Sequence, residues 1–154
     1  MQYANTFKSY GYYANNVTPN LKVIVLNTNY CARLNFWSAY NPFDPTNQFK
    51  WLDRQLADSR SRSQSVHIVG HIPPDNTQCT PQWVHNYLSL VTKYNETIKG
   101  QFFGHTHFDE FRILYSTQNK SIPVGVAYLA PSVTTYESVN PAFRLYTIDS
   151  EVSK

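Results

Sequence analysis

Of five histidines in the chain, three stand where their chemistry could be used. Gly104-His105-Thr106-His107 places two imidazoles two residues apart on a strand-to-loop turn. In a regular strand that spacing sends both side chains to one face; on a turn it can aim them at two neighbouring metals. Gly104 removes a side chain expected to crowd the turn. Gly70-His71 follows an earlier strand in the same way. Neutral imidazole suits zinc and related metals. Three histidines and one open coordination position could make a mononuclear zinc hydrolase or lyase. A lone His-x-His also fits a hydrogen-bonded surface turn, so the chemistry rests on the combination with His71. His67, inside a strand, and His85, inside a helix, read as structural.

The elements that must position these histidines follow from the apolar pattern. Leu21–Leu26, Val66–Val69 and Gln101–Phe103 are short, apolar and rich in β-branched or aromatic residues, as buried strands are. Gly100 is read as preceding the third of them. Tyr10-Gly11-Tyr12-Tyr13 is expected to pair with the first strand as a hairpin. Residues 41–45 form a loop, and Asp44-Pro45 predicts a helix start, with Asp as cap and Pro at the first position. Phe49, Leu52 and Leu56 continue at helical spacing, and the helix is expected to fade between Ser59 and Ser65. Thr80-Pro81 opens a second helix with Val84, Tyr87, Leu88 and Val91 as its apolar stripe. Phe111–Tyr115, Val124–Leu129 and Arg144–Ile148 predict further strands. Strand–helix alternation followed by strands implies a layered α/β sheet, with His71 and His105 at strand ends, where ligands gather in such sheets.

Composition narrows the function classes. The 154 residues suffice for one domain; 42% are hydrophobic and 15% charged, which excludes a disordered chain. A net charge of +3 is too small to argue for nucleic-acid binding, though it permits contact with an anionic membrane surface. No apolar run is long enough to span a membrane, and the N-terminal residues do not resemble a signal peptide. Sequons stand at Asn16, Asn95 and Asn119. Cys31 and Cys79 can pair or remain thiols, depending on the compartment. Together these features lean secretory.

Longer words surround the histidines. They are Leu26-Asn27-Thr28-Asn29-Tyr30-Cys31 with Asn35-Phe36-Trp37, and Val66-His67-Ile68-Val69-Gly70-His71-Ile72-Pro73-Pro74. Then come Gln101-Phe102-Phe103-Gly104-His105-Thr106-His107-Phe108-Asp109-Glu110-Phe111 and Leu129-Ala130-Pro131-Ser132-Val133-Thr134-Thr135-Tyr136. Asn140-Pro141 and Arg144-Leu145-Tyr146-Thr147-Ile148-Asp149 complete the set. From Gly11 onward the chain resembles the calcineurin-like metallophosphoesterases, and within them the acid sphingomyelinase family. The resemblance implies a layered metallophosphoesterase β-sandwich flanked by helices. Residues 1–154 would be the C-terminal part of that domain. His71 and His105 would bind one zinc and His107 the other. Tyr136 would line the phosphate site, and Cys31–Cys79 would form a disulfide. Asp109 and Glu110 match acids outside the metal shell and read as surface residues.

The intact family enzyme holds two Zn2+ and splits sphingomyelin into ceramide and phosphocholine at a lipid surface, in a secreted or lysosomal setting. The family's Asp-x-His, Gly-Asp and Asn-His words do not occur here. The fold is thus expected to be incomplete, lacking the N-terminal half, with at most one zinc and no catalytic acid histidine. The chain alone is expected to be inactive. The alternatives are a non-catalytic secreted glycoprotein of the same fold and a sphingomyelinase-like phosphodiesterase acting on nucleotides. The Pro73-Pro74, Cys79 and Thr134-Thr135-Tyr136 context favours sphingomyelin over nucleotides.

Overall fold

The computed structural model describes residues 3–40 and 43–148. Asn41, Pro42 and Asp149, which figured in the expectations above, lie outside them.

The apolar runs form the strands expected of them. β1 (Tyr13–Thr18) pairs antiparallel with β2 (Leu21–Val25), β2 pairs parallel with β3 (Ser65–Val69), and β3 parallel with β4 (Ile98–Phe103). β5 (Glu110–Tyr115) lies antiparallel to β6 (Pro123–Leu129), and β6 runs parallel beside β4. The result is one six-stranded sheet in the order β1-β2-β3-β4-β6-β5. Helix α1 (Tyr3–Tyr10) packs beside β1, and a four-residue α2 (Trp37–Tyr40) follows a 3-10 turn at Thr28–Tyr30. The long helices α3 (Gln48–Ser61) and α4 (Pro81–Lys93) are the crossovers that parallel pairing requires. The fold class is α/β, as the order of elements implies.

One face of the sheet meets α3 and α4. Ile24, Ile68, Ala127 and Leu129 bury there against Leu52, Leu56, Tyr87 and Val91. Each large side chain so buried contributes about 1.5–3 kcal/mol. Two polar groups enter this layer with partners. The Tyr87 hydroxyl donates to Gln101 Oε1 at 2.7 Å, and the buried Lys22 ammonium donates to Asp58 at 2.9 Å. The opposite face carries Val25, Val69, Phe102 and Tyr128, all half-buried. Tyr146 covers part of it, its ring 4.8 Å from Phe102 and 5.8 Å from Tyr128.

Four local expectations need correction. Tyr10 ends α1 rather than starting a hairpin, and the strand begins at Tyr13. Asp44-Pro45 does not open α3; the helix starts at Gln48, with Asn47 as its left-handed cap. Asp44 still caps the helix from a distance, since its carboxylate accepts from the Phe49 and Lys50 amides at 3.2 Å. Gly100 lies within β4 rather than before it; a Cβ there would stand 2.7 Å from the Phe102 ring, which would have to move aside. Arg144–Ile148 is not a strand. The segment meets the sheet through the Tyr146 ring rather than through a ladder, leaving Leu145 85% exposed.

A candidate metal centre at the strand ends

His71 directly follows the Gly70 that closes β3. Its turn is held by Thr28, whose buried hydroxyl accepts from the His71 and Ile72 amides at 3.1 and 2.9 Å. The His71 carbonyl accepts from the Gly104 amide at 2.9 Å, tying this turn to the one after β4. In that second turn His105 and His107 both take left-handed backbone, with φ of 74° and 69°. Such a conformation costs a non-glycine residue about 1–3 kcal/mol and collects at functional sites. The crowding expected at Gly104 is absent: the nearest atom to a Cβ there is 3.8 Å away. The close approach is at Gly70, where a Cβ would lie 2.8 Å from Thr28 and 3.0 Å from the Phe103 ring.

The turns bring His105 Nδ1 to 3.2 Å from His71 Nε2. Two nitrogens bound tetrahedrally to one zinc stand about 3.3 Å apart, so this pair fits one metal position. His105 Nε2 donates to Gln78 Oε1 at 3.1 Å. His107 turns aside; its ring packs edge-on to Tyr136 at 5.3 Å, and its Nδ1 is buried without a hydrogen-bond partner. An orphaned buried imidazole nitrogen is also what a metal position would leave. Burial and, after it, the neighbouring His71 and His107 lower the His105 pKa, which favours the neutral form that a ligand needs. Among the described residues no three His, Cys, Asp or Glu side chains converge as a metal-binding group. The histidines thus divide into a pair and a single. His105 and His107 border an open cleft of about 590 Å³ whose lining also includes Gln78, Glu110, Arg112 and Tyr136.

The remaining candidates are placed as follows. Cys31 and Cys79 form a disulfide that fastens the loop after His71 to the segment after β2. Asp109 pairs with Arg144, and Glu110 with Arg112, which also contacts Asp75. Tyr136 is 67% exposed at the cleft rim. His67 packs against Phe102 in the sheet and burial lowers its pKa; His85 is exposed on α4. Asn95 and Asn119 are exposed; Asn16 is exposed too, but its side chain accepts from Gln64. Thr28, Gln78 and Arg112 have parts in or beside the site that motif reading missed. Thr28 and Gln78 do lie close in sequence to the two cysteines, which was the one available signal.

No family model matches the chain. Curated proteins match along nearly all of it. A sphingomyelin phosphodiesterase from Bos taurus is 46% identical over 148 residues, covering 96% of this chain and 23% of that protein. Sphingomyelin phosphodiesterase 1 from Caenorhabditis elegans is 39% identical, covering 90% and 25%. A cyclic GMP-AMP phosphodiesterase from Homo sapiens is 35% identical, covering 94% and 35%. The chain therefore spans about a quarter of the length of the sphingomyelin phosphodiesterases that it matches. Among solved structures, a dimetal phosphatase from Danio rerio superposes with a TM-score of 0.52 at 13% identity, over 84% of this chain and 56% of that one. That likeness establishes the fold.

Proposed function

We propose, on the premise that this chain is by homology a member of the sphingomyelin phosphodiesterase family, that it forms the histidine side of a dimetal centre for phosphodiester hydrolysis, with sphingomyelin as substrate and ceramide and phosphocholine as products. The observation that carries this reading is the 3.2 Å convergence of His71 Nε2 and His105 Nδ1 beside the unpartnered Nδ1 of His107. His71 and His105 would hold one metal, of the zinc class, and His107 the second. When bound, such a metal pair supplies an activated water and offsets charge on the phosphate oxygens. Tyr136, at the rim beside His107, would donate its hydroxyl to a phosphate oxygen and orient the diester.

Among the described residues no three His, Cys, Asp or Glu side chains gather into a metal-binding group, and Glu110, which lines the cleft, is paired with Arg112. His67 packs on Phe102 in the sheet and His85 is exposed on α4, so neither is offered as the acid for the leaving alkoxide. By itself the chain is thus expected to hold at most one zinc and not to turn over. Passage through a secretory or lysosomal compartment and work at a lipid surface belong to the same proposal; the disulfide and the sequons support it. A second reading, hydrolysis of nucleotide phosphodiesters, is favoured by the 35% identity to the cyclic GMP-AMP phosphodiesterase.

The test is phosphocholine release by the purified chain with zinc at acidic pH. It is repeated after co-expression with the N-terminal portion of a sphingomyelin phosphodiesterase, and again with His71→Ala and His105→Ala. Activity should appear only with the complement and vanish in either variant. Turnover by the isolated chain that survives both substitutions would sink the reading. Cleavage of a cyclic dinucleotide but not of sphingomyelin by the complemented protein would select the second reading, and no cleavage of either the non-catalytic glycoprotein.

A further inference from the structure

We infer that Gln78 is a positioning residue, one that sets which nitrogen of His105 carries the proton and so which faces the metal; this rests on His105 being a ligand, as proposed above. A neutral imidazole has one N–H and one lone pair. Gln78 Oε1, 3.1 Å from His105 Nε2, is an acceptor and so favours the tautomer that carries the proton on Nε2. The Nδ1 lone pair then faces His71 Nε2, 3.2 Å away, and accepts its N–H until a shared metal displaces that one proton. With the opposite tautomer, an Nδ1–H would fill the space between the two nitrogens and bar coordination. A side-chain amide also does this without adding charge beside the cleft.

The backbone that carries this side chain is itself held. The Gln78 main-chain N–H donates to Asp75 Oδ1 at 3.1 Å and to the Asp75 carbonyl at 3.3 Å. Its carbonyl accepts from the Arg33 amide at 3.2 Å, and the next residue is the disulfide cysteine Cys79. Gln78 therefore approaches His105 from a loop pinned on both sides. Hydrogen-bond partners of this kind fix the orientation of metal-binding histidines generally.

The experiment compares the wild-type chain with Gln78→Met, similar in length without the amide, and Gln78→Glu, which keeps an oxygen acceptor. Imidazole 15N shifts of the metal-free proteins report the tautomer, and competition titration reports zinc affinity. His67, packed on Phe102 away from the cleft, serves as the fold control: its shifts should be the same in all three. Wild type and Gln78→Glu should show His105 protonated on Nε2. Gln78→Met should show an averaged ring and bind zinc about 10–100-fold more weakly. Protonation of wild-type His105 on Nδ1, an unchanged tautomer in Gln78→Met, or unchanged zinc affinity there would overturn the proposal. A wild-type chain with the expected tautomer but no zinc binding would instead overturn the ligand reading of His105.

Discussion

His71 and His105 share one point in space, whereas His107 looks elsewhere. A zinc titration with elemental analysis should therefore give at most one ion per chain. His71→Ala and His105→Ala should abolish that binding, and His107→Ala should leave it in place. Two tightly held zincs per wild-type chain would overturn the division. At this scale His71 and His105 were legible because each follows a glycine at the end of an apolar run, and His107 because it stands two residues beyond His105. Thr28 and Gln78 were not. A hydroxyl or an amide has no characteristic spacing, and each acts on a residue more than twenty positions away in sequence. The left-handed backbone of His105 and His107 was illegible for a related reason: nothing in their residue type requires it.

Among the elements, the join between β2 and α3 carries a measurable stake. Lys22 is 4% exposed, and Asp58 is its ion-pair partner. Hydrogen bonds from Lys22 and then Arg62 hold the Asp58 carboxyl below its usual 3.8. That stabilisation is present above the ordinary carboxylate pKa and is lost as pH falls through the depressed folded value. Asp58→Asn should destabilise the chain by about 1–3 kcal/mol at neutral pH, toward the lower end because Asp58 is partly exposed and Gln55 also accepts from Lys22. Urea unfolding at neutral pH and again well below 3.8 checks this: the two proteins should differ in the first and converge in the second. The elements themselves were read well where the pattern was dense. Runs such as Leu21–Val25 have few alternatives to a buried strand, and α4 starts at Pro81 as expected, although Thr80 makes no side-chain cap hydrogen bond. Arg144–Ile148 misled because its alternating apolar residues fit a strand equally well, yet the segment joins no ladder of the sheet.

For the molecule as a whole, the Cys31–Cys79 bond spans 48 residues, a loop whose closure contributes about 4 kcal/mol in the chain-entropy model. Reductant should lower the urea midpoint accordingly, and thiol counting on unreduced, denatured, secreted protein should find none free. Two free thiols there would refute the bond. Glycosylation probes the compartment. Asn95, exposed beyond the end of α4, should be modified first and Asn119 next, while Asn16 is engaged by Gln64. Amidase treatment of a secreted form should therefore lower its mass. No mass loss at Asn95 or Asn119 would count against the secretory assignment. The α/β class could be read from the order of the elements. The pairing of β6 between β4 and β5 could not, because strand order depends on crossovers that leave no local mark.

The strained turn after β4 sets stability and chemistry against each other. Glycine at position 105 or 107 would relieve the left-handed backbone that the histidines endure, and asparagine would tolerate it better. A library of variants selected only for heat tolerance should therefore drift toward Gly or Asn at these two positions and lose the imidazoles as it improves. A library selected for zinc retention should keep both histidines and find its gains elsewhere in the sequence.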